Sequence, residues 1–119
     1  MQHRDKVILQ KIISEIDIGT QLLGKNSLDD FLRNEMMKRA IAMTVINIGE
    51  LVKNITDEIR ISYPEIPWRQ VAGFRDITAH KYQTLRMEDV YQAVVEDFPM
   101  LKRQLNAICE KETSERNQV

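Results

Sequence analysis

Apolar residues recur at alternating spacings of four and three along most of this chain, the rhythm of amphipathic helices. Leu9, Ile13, Ile16, Thr20 and Leu23 form a first stripe and predict a helix over about 5–23, closed by Gly24. Ile41, Val45, Ile48, Val52, Ile55 and Ile59 form the stripe of a second, longer run. That run predicts one helix from Ser27 to about Ile61, with Ser27 and Asp30 as a capping box at its start and Gly49 inside it. Pro64 and Pro67 then exclude a helix interior, and the pattern resumes as a third helix over about 67–79, with Trp68 as a core anchor. Residues 80–85 read as a connection. Arg86 cannot accept a capping hydrogen bond, which leaves Thr84 as a substitute. Val90, Val94, Phe98, Leu101, Leu105 and Ile108 define a fourth helix over about 87–110, in which Pro99 predicts a kink. The expected architecture is all-α: an antiparallel up-and-down four-helix bundle with a proline-rich break before the third helix. Residues 1–110 make a single domain, and the polar residues 111–119, lacking an apolar face, are expected to be disordered.

The second helix carries another stripe beside its core face. Met36, Met43 and Glu50 are seven apart, with Ala40 and Asn47 between them. Two coverings suit it: a third helix of the same chain, or a second subunit whose interface leads into a polar site.

Composition narrows the functional classes. The net charge is −1, so no global basic field exists to hold nucleic acid, and any such binding must be local. Residues 65–86 supply a modest local excess, with Arg69, Arg75, Lys81 and Arg86 against Glu65 and Asp76. Cys109 is the only cysteine, which rules out an intrachain disulfide and suits a reducing, cytoplasmic setting. No apolar run approaches a membrane span, and the polar start is unlike a signal peptide. No zinc-type His/Cys cluster, Glu-x-x-His pair or glycine-rich phosphate loop occurs, so neither a metal nor a cofactor is expected.

What chemistry remains lies in Arg75-Asp76-Ile77-Thr78-Ala79-His80-Lys81-Tyr82. An arginine can grip a phosphate through two parallel hydrogen bonds, and an imidazole can move protons near neutral pH. Asp76, four residues before His80, would share a helical face with it and orient the ring. Arg75 and His80, five apart, would not align on a continuous helix, so the helix is expected to end or bend near His80. This set suits RNA cleavage in which the ribose 2′-hydroxyl attacks its own phosphate, since RNA brings the nucleophile and no metal is required. Two proton-transfer roles against a single His80 call for a two-fold dimer.

The segment Arg-Asp-x-x-x-His-x-Tyr resembles the signature of the HepT-like toxins, a branch of the HEPN superfamily. Ile48-Gly49-Glu50, Tyr63-Pro64-Glu65-Ile66-Pro67-Trp68, Gly73-Phe74-Arg75 and Phe98-Pro99-x-Leu101 resemble further motifs of that group, in the same order over about residues 5–108. The resemblance implies a HEPN-like bundle acting as a metal-independent endoribonuclease toxin, with paired Arg-x4-His motifs lining a homodimer cleft. Arg75, His80 and Asp76 would be the catalytic group, and Glu50, Asn47 and Lys81 would support it. The resemblance also implies a partner, an MNT-type nucleotidyltransferase antitoxin that transfers AMP to Tyr82. A non-catalytic HEPN-type binding or dimerisation module assisting a nucleotidyltransferase is the alternative.

Overall fold

In the computed structural model, which describes residues 1–117, the chain folds into helices alone: α1 (His3–Leu23), α2 (Leu28–Leu32), α3 (Glu35–Lys53), α4 (Asp57–Ser62), α5 (Trp68–His80), α6 (Met87–Gln92) and α7 (Phe98–Asn117). A 3₁₀ turn spans Tyr82–Thr84, and a π-helical turn, Ala93–Asp97, joins α6 to α7. The four long elements alternate in direction. Glu15 of α1 meets Asn47 of α3, and Arg4 reaches the carbonyl of Asn54. Lys102 of α7 meets Asp17, and Glu112 meets the amino group of Met1. α5 in turn runs antiparallel to α3. The all-α up-and-down bundle is therefore as expected.

The second expected helix is three helices. Asn34 interrupts it, accepting a hydrogen bond from the Met37 amide at 2.9 Å as the cap of α3, so the Ser27–Asp30 capping box opens only the short α2. A second break, at 54–56, is organised from across the bundle. Asp5, fully buried, accepts the Thr56 amide at 3.1 Å and the Thr56 hydroxyl at 2.6 Å. Periodicity is blind to the break at 54–56, because the turn preserves the phase of the apolar stripe: Ile41, Val45, Ile48, Val52, Ile55 and Ile59 are all buried. Asp5→Ala is expected to cost about 2–3 kcal/mol, since the Thr56 donors lose their charged acceptor inside the protein. Urea denaturation measures this, and a loss under about 0.5 kcal/mol would mean that Asp5 does not hold the break.

On α1 the core face is turned from the expected one. Ile8, Leu9, Ile12, Ile16, Gly19 and Leu23 are buried, whereas Thr20 is exposed. Adjacent Ile12 and Ile13 fit the spacing equally well, and only packing chooses between them. Gly24, with φ 53, closes α1 as expected. Trp68 is buried, and its Nε1 donates to the Tyr63 carbonyl at 3.0 Å.

Pro99 acts through the π turn. It has no N–H to offer the carbonyl four residues back, and the ladder widens just before it: the Phe98 amide bonds Ala93 O, five residues earlier. α6 starts at Met87 as expected, but Thr84 does not cap it, because its hydroxyl donates to Lys81 O. Glu88 and Asp89 in the first turn offset the helix dipole instead.

The expected disorder from residue 111 needs correction. α7 continues to Asn117, held by Glu112, which accepts from both Met1 N and the Tyr63 hydroxyl. Burial, then Glu112, pushes the Tyr63 phenol up to about 12. Residues 118–119 of that expected tail lie outside the described residues.

Candidate active site

The site begins with the absence of a side chain at Gly49. A Cβ there would stand 2.0 Å from Arg75 Cβ, 2.6 Å from Arg75 Cγ and 3.2 Å from the Val71 carbonyl. Glycine thus lets α3 and α5 approach so closely that the stem of Arg75 lies across α3. The guanidinium then meets Glu50, one residue on, with Nε 3.0 Å from Oε2. That contact is an ion pair by distance but misaligned as a hydrogen bond, so the buried Nε has no hydrogen-bond acceptor. Nη1 donates to Asp76 Oδ1 at 3.3 Å, and Nη2 makes no hydrogen bond among the described residues.

Asp76 is shared. Lys53, one turn beyond Gly49 on α3, donates to the same Oδ1 at 2.5 Å. The Lys53 hydrogen bond, supported by Arg75, holds the Asp76 carboxyl below its ordinary value. This corrects the expected geometry, since Asp76 engages Lys53 and Arg75 and makes no hydrogen bond to His80. Lys53 on α3 takes the Asp76 carboxylate, a pairing no local spacing reveals. Lys53→Met is expected to move the Asp76 titration midpoint up toward the ordinary carboxylate value. Carbon-detected NMR reads it, and an unchanged midpoint would assign the effect to another group.

His80 is the last residue of α5, where the helix ends as expected. It is exposed, and no hydrogen bond restrains its ring among the described residues. Five residues of α-helix turn His80 by about 140° from Arg75 and raise it about 7.5 Å. One chain therefore presents the two groups on different sides of α5. Lys81, exposed, caps α5 through its backbone, and its side chain makes no hydrogen bond or ion pair among the described residues. Asn47 does not join the group either: its Nδ2 donates to Glu15 on α1 at 3.4 Å.

Tyr82 is half-buried in the 3₁₀ turn, with the Arg39 guanidinium 5.4 Å from its ring centroid. Lys53 and Arg39 are the site residues that sequence reasoning missed. Both lie on the α3 stripe that faces α5, a face identifiable only once the two helices are known to pack. Met36 is 84% exposed and Met43 54%, so among the described residues no third helix covers the methionines of the stripe leading to Glu50; Ile77 on α5 is 48% exposed. Among the described residues no three His, Cys, Asp or Glu side chains converge to hold a metal ion, and no helix is long and apolar enough to cross a membrane.

Residues 11–108 match the family described as "Ribonuclease HepT-like". The chain belongs to the HepT-like ribonuclease family. It is 31% identical over 102 residues to a "Probable ribonuclease HepT" of Thermococcus cleftensis, covering 86% of this chain and 93% of that one. A "Putative RNase" of Caldanaerobacter subterraneus subsp. tengcongensis is 29% identical over 104 residues, 87% of this chain and 93% of the relative. A longer Methanocaldococcus jannaschii protein, named "Gamma-glutamylcyclotransferase and putative RNase", is 30% identical over 112 residues, and there the match spans 50% of its length. No solved structure matches. The HepT-like match extends over parts of all four long helices, so it takes in both the Gly49–Glu50 segment and the Arg75–Tyr82 segment.

Proposed function

We propose that this HepT-like chain is a metal-independent endoribonuclease acting in the cytoplasm as the toxin of a toxin–antitoxin pair, with its site at a homodimer cleft. The observation that carries the reading is the exposed, unrestrained His80 one and a half turns beyond an arginine already anchored on α3. Arg75 holds the scissile phosphate. The 2′-oxygen attacks phosphorus as one His80 takes the 2′ proton, forming the O2′–P bond. The P–O5′ bond breaks as the His80 of a second copy protonates the leaving oxygen. The products are a 2′,3′-cyclic phosphate and a free 5′-hydroxyl. Asp76, Glu50 and Lys53 position the guanidinium, so the proposed role of Asp76 is toward Arg75.

The same geometry supports the pairing of two copies. One chain turns Arg75 and His80 apart, and the exposed Met36, Met43 and Ile77 supply apolar surface for a partner copy on the same two helices. Tyr82 is the proposed acceptor of AMP from an MNT-type nucleotidyltransferase. Its hydroxyl makes no hydrogen bond among the described residues, and an added phosphate beside Arg39 would occupy the cleft and repel an RNA backbone. The alternative, a non-catalytic module assisting the nucleotidyltransferase, draws on Arg75 being held by two carboxylates and on the net charge of −1.

The test is RNA cleavage by unmodified protein in EDTA, with intact mass checked beforehand to exclude AMP on Tyr82. Cleavage in EDTA that leaves cyclic-phosphate ends supports the ribonuclease. No cleavage of a broad RNA panel by an unmodified dimer favours the binding module.

A further inference from the structure

Between α5 and α6–α7 the bundle has an open seam. α5 packs on α3, while α6 and α7 pack on α1, α2 and α3, and the α5 and α6–α7 walls stand apart. The space between them is a groove of about 550 Å³. Val45 and Ile48 form its floor, and Val71 and Phe74 line the α5 wall. Ala93, Leu101 and the 55%-exposed Met100 line the opposite wall. The π turn forms part of this wall, with both Ala93 and Asp97 on the groove.

Length and charge select the occupant. The α6–α7 wall runs from Asp89 to Gln104, about 22 Å of helix, which is long for a small molecule and equal to about four turns of an incoming helix. Asp89 and Asp97 lie on the rim, neither has an ion-pair partner among the described residues, and no cation lines the groove. Partial burial and the neighbouring Glu96 push the Asp97 carboxyl above its ordinary value, a penalty that a cation would relieve. Such a rim repels phosphate, so the groove is not a continuation of an RNA path.

We propose that the α5/α6–α7 seam is a docking groove for an amphipathic helix of a partner protein, with apolar side chains inserted against Val71, Phe74 and Met100 and lysine or arginine paired with Asp89 and Asp97. The groove is separate from the proposed ribonuclease site, since Arg75 does not line it, although Phe74 and Arg75, neighbours on α5, bring the two onto adjacent faces of one helix.

The probe is a synthetic helical peptide of about 16 residues with leucines on one face and lysines on the other, titrated into the full chain and followed by methyl NMR. A twin with glutamate in place of each lysine is the control. The expected result is saturable shifts at Ala93, Met100 and Leu101, with the acidic twin bound at least about tenfold more weakly. Asp89→Lys with Asp97→Lys should weaken the lysine peptide by at least about tenfold and reverse the preference, and Met100→Glu should abolish binding of both. Circular dichroism melts confirm that these surface variants fold. Shifts elsewhere on the protein, equal binding of the two peptides, or displacement of the peptide by RNA would overturn the proposal. So would conversion of a dimer to monomer by the groove variants, which would make the seam an interface between copies.

Discussion

His80→Ala is expected to reduce RNA cleavage by about 10²–10⁴-fold while leaving the melting temperature nearly unchanged. The ring is exposed and holds no structural hydrogen bond among the described residues, so its removal should shift stability by no more than about 0.5 kcal/mol. Loss of chemistry without loss of fold separates a proton-transfer role from a structural one. Arg75→Ala is expected to cost about 10²–10³-fold but also to disturb the fold, since Glu50 and Asp76 would face each other without their shared cation. Arg75→Lys keeps the charge and discards the fork, so a deficit that persists in it belongs to phosphate geometry. A mixing experiment then tests the two-copy site. If each reaction uses the His80 of both protomers, wild type exchanged with excess His80→Ala protein should lose nearly all its activity, well beyond dilution. Activity falling only in proportion to dilution would mean that each protomer works alone, and unchanged cleavage by His80→Ala would remove His80 from the mechanism.

Gly49→Ala should be among the most damaging single-methyl additions in the chain. Its Cβ would overlap the stem of Arg75 and press on the Val71 carbonyl, so α5 must move away from α3 or Arg75 must leave its rotamer. Overpacking of this kind costs about 1–3 kcal/mol, and here the upper end applies because one neighbouring atom is backbone. A fall in melting temperature on the order of 10 °C is expected, together with a loss of cleavage at least as large as that of Arg75→Lys, since the same shift displaces the guanidinium. Gly73→Ala is the matched control. It lies within α5 with nothing within 4 Å of its Cβ position, so alanine should stabilise the chain by about 0.5–1 kcal/mol through helix propensity alone. If Gly49→Ala melted like wild type, the close approach of α3 and α5 would not be what sets Arg75.

The alternation of four and three along the chain was enough to establish an all-α bundle and the buried positions of its second and fourth stripes, because burial of a helical face depends on phase alone. Gly24 and the two prolines near 64–67 marked element ends by backbone chemistry that acts locally. The candidate site segment was equally legible, since Arg75, Asp76, His80 and Tyr82 are neighbours in sequence. Their relations were not. The Asp76 carboxylate could face His80 or Lys53 with equal local justification, and Lys53 takes it because α3 lies across that face. The break at Thr56 preserves the phase of the stripe, and Thr56 is held by Asp5 from 51 positions away in sequence. Arg39 meets Tyr82, and Glu112 ties Tyr63 to the start of the chain, contacts equally remote from any local pattern. Periodicity and spacing report how a residue relates to its own helix. The partner of a charged side chain depends on which helix lies opposite and at what height, and that is settled only when the apolar faces, and the missing side chain of Gly49, bring the helices into contact.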